Sequence, residues 1–352
     1  MSKSLKNYPE PTKLVDELGA DAIRIYLLDS PLLRGEELRF SENGVREMVR
    51  RVLLPWWNSV SFLMTYASVD GWDPETDSWD GPPTHELDVW IRAKLEELKG
   101  HIEHEMADYR LYRVVDPLLD FLDDLTNWYI RRSRRRFWKS ESDDDKRSAY
   151  TTLYGVMLEF TELMAPLTPF LADYVYEHLR VTPDTRAVDS VHLRDLPPRR
   201  EVTDAERDLE ARIDLSRVVC ELGRSLRAQA KIRNRQPLQV IRVGTTSHQE
   251  AEWLLASRDV ILEELNLKEL EVIEDPTQVA TASIKPNMGK LGPRLGADAR
   301  PGAAGLSQLD PTEARKLAFG ESIEVAGVEL TPDDVYVNMQ PADEGALIAA
   351  QG

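Results

Sequence analysis

Residues 115–139 read VDPLLDFLDDLTNWYIRRSRRRFWK, and this stretch decides the fold. Val115, Leu118, Leu119, Leu122, Leu125 and Tyr129 recur at intervals of three and four, so one face of a helix is apolar and needs a partner. The same spacing returns in Tyr150, Leu153, Tyr154, Met157, Leu158, Thr161 and Met164, and again in Leu215, Val218, Val219, Leu222 and Leu226. A further helical stretch runs from 85 to about 110, and a short one over 171–179 follows the punctuation of Pro166 and Pro169. Helices with one apolar face each bury it against one another, so an antiparallel bundle is expected over 85–235.

On the N-terminal side, Asn7-Tyr8-Pro9-Glu10-Pro11 is a loop, because prolines two apart do not fit inside a helix. Leu14, Leu18, Ala22, Ile25 and Tyr26 then take helical spacing up to Pro31. A second helix is expected over 42–67, kinked at Pro55. Residues 68–84 hold four Asp, one Glu, three Pro and two Gly, and read as an exposed linker between domains 1–67 and 85–235. Beyond Pro237 the texture changes. Val240–Gly244 and Leu270–Ile273 alternate like strands around a helical 251–265, residues 285–305 are rich in Gly and Pro, and 323–330 reads as a hairpin around Ala326-Gly327. The expected architecture is therefore mainly α, with a small α/β region over 236–352.

The 352 residues carry a net charge of −18, from 62 acids against 12 Lys and 32 Arg. Such a surface repels polyanions in general and stays soluble at high salt, as in a salt-adapted organism, so any nucleic-acid contact has to come from a local cluster of cations. Cys220 is the single cysteine, which excludes an internal disulfide and a thiolate zinc site. No apolar run reaches 18 residues and no apolar segment follows Met1, so the expectation is a cytoplasmic chain without a membrane span.

One cluster stands out. Arg131, Arg132, Arg134, Arg135, Arg136 and Lys139 are six cations with no acid from Asn127 to Lys139. At about 100° per residue, Arg131, Arg132, Arg135, Arg136 and Lys139 share an arc of roughly 140° that also holds Trp128. Guanidinium groups for phosphates and an indole for an unpaired base suit RNA. The bland alternative is a solvated face balanced by the acids of 141–145. A second run, Arg224, Arg227, Lys231, Arg233 and Arg235, places Arg224, Arg227 and Lys231 on one helical face. Part of it is explained by the preference of helix C-termini for cations. Lys3 between Ser2 and Ser4 could hold phosphate, but a tripeptide alone says little. His101 and His104 lack a third ligand, and no phosphate cradle, nucleophile elbow or self-contained catalytic site is present.

Ser2-Lys3-Ser4-Leu5-Lys6-Asn7-Tyr8-Pro9-Glu10-Pro11 and Gly19-Ala20-Asp21-Ala22-Ile23-Arg24 resemble the signature loop of class I aminoacyl-tRNA synthetases and the helix after it. Leu54-Pro55-Trp56-Trp57-Asn58, the run from Asn127 to Trp138, and Met164-Ala165-Pro166-Leu167-Thr168-Pro169-Phe170 resemble the isoleucyl branch of that family. The resemblance implies that 1–67 is the end of a catalytic domain at its stem-contact junction, 85–235 an anticodon-binding domain and 236–352 a C-terminal region, truncated. It implies that Lys3, with Ser2 and Ser4 shaping the loop, stabilises the triphosphate of ATP as pyrophosphate leaves. It further implies that Trp128 and the arginines face tRNA-Ile. The His-x-Gly-His motif, the nucleotide-binding sheet and the zinc cysteines are missing from this sequence. The expectation is a monomeric part of an isoleucine-charging enzyme, inactive alone and holding neither ATP with Mg2+ nor zinc. The rivals are a free-standing tRNA-binding module, the equivalent part of a valyl or leucyl enzyme, and a helical protein that meets no RNA.

Overall fold

A computed structural model describes residues 11–341, apart from 140–142, 182–183, 185–186, 246, 275–279, 297–298, 307–308, 310, 319–321 and 326. The chain divides into two compact units, Met1–Glu210 and Ala211–Gly352.

The first unit is helical. α1 (Pro11–Leu18) and α2 (Ala20–Leu28) are hinged at Gly19, whose φ of 83° a side chain would resist. α3 (Glu42–Met48) starts on Ser41, whose Oγ accepts from the Gly44 amide at 3.1 Å. Leu14, Ala22 and Val45 bring these three helices together. The expected kink at Pro55 is a widened π-helical turn over Val49–Leu53, after which Pro55 opens α4 (Leu54–Asp70). A proline in the first turn has no amide to waste.

The bundle proper follows: α5 (Glu86–Ala107), α6 (Val115–Asp123), a second π-helical turn (Asp124–Ile130), α7 (Arg131–Lys139), α8 (Asp143–Met164) and α9 (Pro169–Tyr176); α10 (Asp204–Gln229), in which the two units divide, comes after it. The apolar faces read from the sequence over 115–129 and 150–164 line its core. Leu118, Leu122, Leu125, Tyr129, Leu153 and Met157 are buried, and Phe160 receives Trp56 edge-on and Phe121 stacked, at 5.6 and 5.2 Å between centroids. Such aromatic contacts add about 0.5–1.5 kcal/mol each beyond the area they bury.

The division of the chain falls within α10 and not at 68–84. That segment, expected to be an exposed linker, is fastened to α8. Trp72 stacks on Tyr150 at 5.3 Å, the Trp79 amide donates to Thr151 Oγ1 at 2.8 Å, and Arg147 donates to the carbonyls of Asp77 and Ser78. Nor do the first helices stand apart. Arg24 donates to the carbonyls of Pro166 and Leu167, and the Asp21 carboxylate accepts from the Leu171 amide at 2.7 Å. Burial raises the Asp21 pKa against the pull of that bond.

In the second unit β1 (Leu238–Gly244) and β2 (Leu267–Ile273) pair in parallel, Val240 opposite Glu269, across a connection through α11 (His248–Ala256) and α12 (Arg258–Leu265). Parallel neighbours require such a crossover. β3 (Ala280–Pro286) pairs with the last strand, and between them lie α13 (Met288–Leu295), α14 (Ala299–Leu306) and α15 (Pro311–Ala318). The Gly- and Pro-rich stretch is thus largely helical, with Pro293 inside α13. β4 (Ile323–Val325) and β5 (Val328–Leu330) form the expected hairpin, Gly327 taking a φ of 77°. β6 (Val335–Pro341) then closes against β3, antiparallel. Leu291, Leu306, Leu317, Ile323 and Leu330 form the core here.

Candidate nucleic-acid interface

The six-cation cluster lies on α7, and the way α7 is held decides which of its cations face outward. Asp88, fully buried on α5, is the anchor. Arg136 reaches it with two hydrogen bonds, to Oδ1 at 2.7 Å and Oδ2 at 2.8 Å. Tyr129 and Ser148 also donate to Asp88, at 2.9 and 3.1 Å. The Nε of Arg136 donates to both carboxylate oxygens of Asp145 on α8, at 3.0 Å each. One guanidinium therefore ties α7 to α5 and α8. Burial disfavours its charge, but the hydrogen bonds from it to Asp88 and Asp145 raise its pKa above the ordinary arginine value. For Asp145, burial opposes ionisation, and the bonds from Arg136 and Thr84 override it and lower its pKa.

Two expectations are corrected here. Arg136, only 8 % exposed and fully engaged by carboxylates, is a structural clamp and no ligand for phosphate. Trp128 is 4 % exposed and is no platform for a base. It belongs to the π-helical turn, so a wheel of 100° per residue misplaces it relative to α7. The guanidiniums of Arg131 and Arg132 lie over its ring, at 5.8 and 5.3 Å from the centroid.

What faces outward is Arg131, Arg134, Arg135 and Lys139, with Arg132 half-buried beside them. Arg131 Nε donates to the Asn127 carbonyl at 2.7 Å, which fixes the base of its side chain. The exposed aromatic ring of this ridge is Trp138, 53 % exposed and 6.1 Å from Tyr66. The sequence carries the signal for it: seven residues after Arg131, Trp138 falls about 20° from it on an ideal helix.

The second run is rearranged more thoroughly. Arg224 pairs with Glu264. Arg227 is 5 % exposed, with a pKa that burial lowers. Its guanidinium donates to the carbonyls of Arg233, Gln236, Leu265 and Asn266. α10 ends at Gln229, and Lys231 takes a left-handed φ of 57°, so Arg224, Arg227 and Lys231 do not share an exposed face. The exposed cations on the loop that follows are Lys231, Arg233 and Arg235, while Arg224 is exposed on α10 itself.

Ser2, Lys3 and Ser4 lie outside the described residues. Among the described residues no group of three or more His, Cys, Asp or Glu could hold a metal ion, and His101 and His104 turn to different partners, the Arg113 carbonyl and Arg110. No described helix is long and apolar enough to cross a membrane.

Residues 88–242 match the anticodon-binding domain of tRNA ligase, and residues 1–39 match tRNA synthetases class I (I, L, M and V). The isoleucine--tRNA ligase of Protochlamydia amoebophila is 36% identical over 356 residues, taking in 100% of this chain and 34% of its own length. That of Chlamydia muridarum is 42% identical over 313 residues, 88% of this chain and 29% of its own length. That of Chlamydia trachomatis is 40% identical over 349 residues, 97% and 33% respectively. The chain thus spans about a third of the length of the curated relatives it matches. A LeuRS-tRNA-LeuAMS ternary complex from Agrobacterium radiobacter K84 aligns at a TM-score of 0.38 and 19% identity, over 60% of this chain and 22% of the other.

Proposed function

The chain belongs to the class I tRNA synthetases and carries their anticodon-binding domain, and from that premise we propose that it grips the anticodon arm of tRNA-Ile through the α7 ridge. Within a whole isoleucine--tRNA ligase it would serve as the part that holds the tRNA, in the cytoplasm, and would lend Lys3 to the phosphates of an ATP whose remaining contacts, like those of isoleucine, come from the rest of that enzyme. The observation that carries this is the exposure of Arg131, Arg134, Arg135 and Lys139 on one helix inside the matched domain, on a chain of net charge −18. An acidic molecule repels RNA except where cations are concentrated, so the ridge selects both the site and the approach. Trp138 offers the ring on which an unpaired base can stack.

The chemistry of Lys3 fits the phosphates of ATP as substrate: an ammonium with three donors, flanked by two hydroxyls, suits phosphate oxygens. In the whole enzyme Lys3 would hold charge that develops as pyrophosphate departs, with Ser2 and Ser4 beside it, and Mg2+ would share the load on the phosphates.

Binding of tRNA-Ile over a series of salt concentrations tests the ridge. Replacing Arg131, Arg132 and Arg135 by alanine should reduce the slope of log affinity against log salt by about 2–3, at roughly 0.9 for each phosphate that is no longer neutralised. Because Arg131 and Arg132 also cover Trp128, the pair Arg134→Ala and Lys139→Ala serves as a second variant that leaves the core packing intact. Unchanged slopes in both would place the RNA elsewhere. Charging of tRNA-Ile with isoleucine, and not with valine or leucine, by a protein containing this chain would establish the amino acid.

A further inference from the structure

The loop after α10 has a feature that the α7 ridge does not explain. Lys231, Arg233 and Arg235 are exposed, and among the described residues no carboxylate pairs with any of them. Arg224, earlier on α10, differs in that Glu264 takes it.

The loop backbone, by contrast, is thoroughly bonded. The Ile232 amide donates to the Arg227 carbonyl at 2.8 Å, Lys231 to Ala228 at 3.1 Å and Gln236 to Arg233 at 3.0 Å. From beneath, Arg227 holds the carbonyls of Arg233 and Gln236 at 3.2 and 3.0 Å, and Asn266 Nδ2 donates to the Asn234 carbonyl at 3.2 Å. Arg227 thus commits its Nη1 donors to the main chain of the same loop whose side chains are exposed, while its Nη2 holds the carbonyls of Leu265 and Asn266. A loop bonded in this way costs little further entropy when its side chains engage a ligand.

We propose that Lys231, Arg233 and Arg235 form a second contact for the RNA phosphate backbone, in addition to the α7 ridge, and that Arg227 is the residue that positions it. Three cations within five residues match successive phosphates along one strand, and the guanidiniums of Arg233 and Arg235 can each bind two phosphate oxygens at once. All three sit on a loop, and not on a helix or strand that could enter a groove and read bases, so the contact sets position and carries no sequence preference. The inference rests on the chain's being a tRNA-binding one.

The test is tRNA binding by the whole chain carrying Lys231→Ala, Arg233→Ala and Arg235→Ala together, measured against salt. The expected result is a slope lower by about 2–3 and an affinity at low salt weaker by a factor on the order of 10–100. The melting temperature should stay where it was, because the three side chains are exposed. The variant Lys231→Arg, Arg233→Lys, Arg235→Lys keeps the charges and should keep the slope. If the alanine variant binds as the parent does while the α7 variants lose their slope, the loop proposal is overturned and the ridge stands. If the parent chain does not bind tRNA, the broader reading fails and the loop proposal falls with it. If Arg227→Lys lowers affinity with the melting temperature unchanged, the positioning role holds; an affinity that moves only with melting temperature would overturn it.

Discussion

Arg136 and Arg135 are neighbours of one residue type with opposite fates. Arg135 sits near the middle of the cationic arc and faces out, whereas Arg136, at its edge, turns under to Asp88 and Asp145. Arg136→Met would leave Asp88 buried without its cation, and the expected loss is about 3–5 kcal/mol of stability in a denaturant titration. Arg134→Met, on the exposed side of the same helix, should stay within about 0.5 kcal/mol. The presence of RNA-suited cations is legible in the sequence, because six of them stand without an acid between them. Which one turns inward is not, since that depends on a carboxylate 48 residues away on α5. Trp128 escapes sequence reasoning for a local reason: the wide turn that holds it breaks the period on which its position is reckoned. Trp138, which lies on the regular helix, is legible on the same wheel.

At the scale of the element, the start of α10 shows how side chains fix a boundary. Thr203 Oγ1 accepts from the Glu206 amide, and the Glu206 carboxylate accepts from the Thr203 amide at 2.9 Å, a reciprocal cap. Arg200 adds two hydrogen bonds to the same carboxylate, at 2.7 and 2.9 Å. The bonds from Arg200 hold the Glu206 pKa down at about 2, against an ordinary 4.5, with the Thr203 amide adding to them. A carboxyl whose pKa is lower in the folded state contributes stability above its unfolded value, and loses it as pH falls through the folded one. Thermal melts taken between pH 4.5 and pH 2 should therefore show stability declining as the pH is lowered. In Glu206→Gln that decline should be shallower, and the variant should be the less stable of the two at neutral pH. The helices themselves are legible from three-and-four spacing. The π-helical turns over Val49–Leu53 and Asp124–Ile130 are not, because a single widened turn leaves no trace in that spacing. The segment over 71–84 misleads for a related reason. Its composition is that of a solvated linker, and only the positions of Trp72 and Trp79 hint that it is fastened down.

For the whole molecule, a net charge of −18 sets two responses to salt against each other. Self-repulsion is screened as the Debye length contracts from about 10 Å at 0.1 M to about 3 Å at 1 M. The melting temperature should therefore rise with sodium chloride over that range, while the proposed binding of tRNA should weaken through competition by the same cations. Parallel melting and binding series would show the opposing trends; a melting temperature indifferent to salt would mean that the acids are already neutralised in pairs. The family matches over 1–39 and 88–242 leave 68–84 between them, while the compact units divide further along the chain. Composition marks where a chain meets water, and packing marks where one body ends, which here is within α10.

Arg131 and Arg132 rest on the face of a buried indole. Long flexible side chains ordinarily wander through many rotamers and forfeit that freedom when a partner arrives. Here the forfeit is made at folding, when the ring beneath them is packed away. A strand of RNA bound there, as proposed, would meet guanidinium groups already held over the ring, with little disorder left to surrender on arrival.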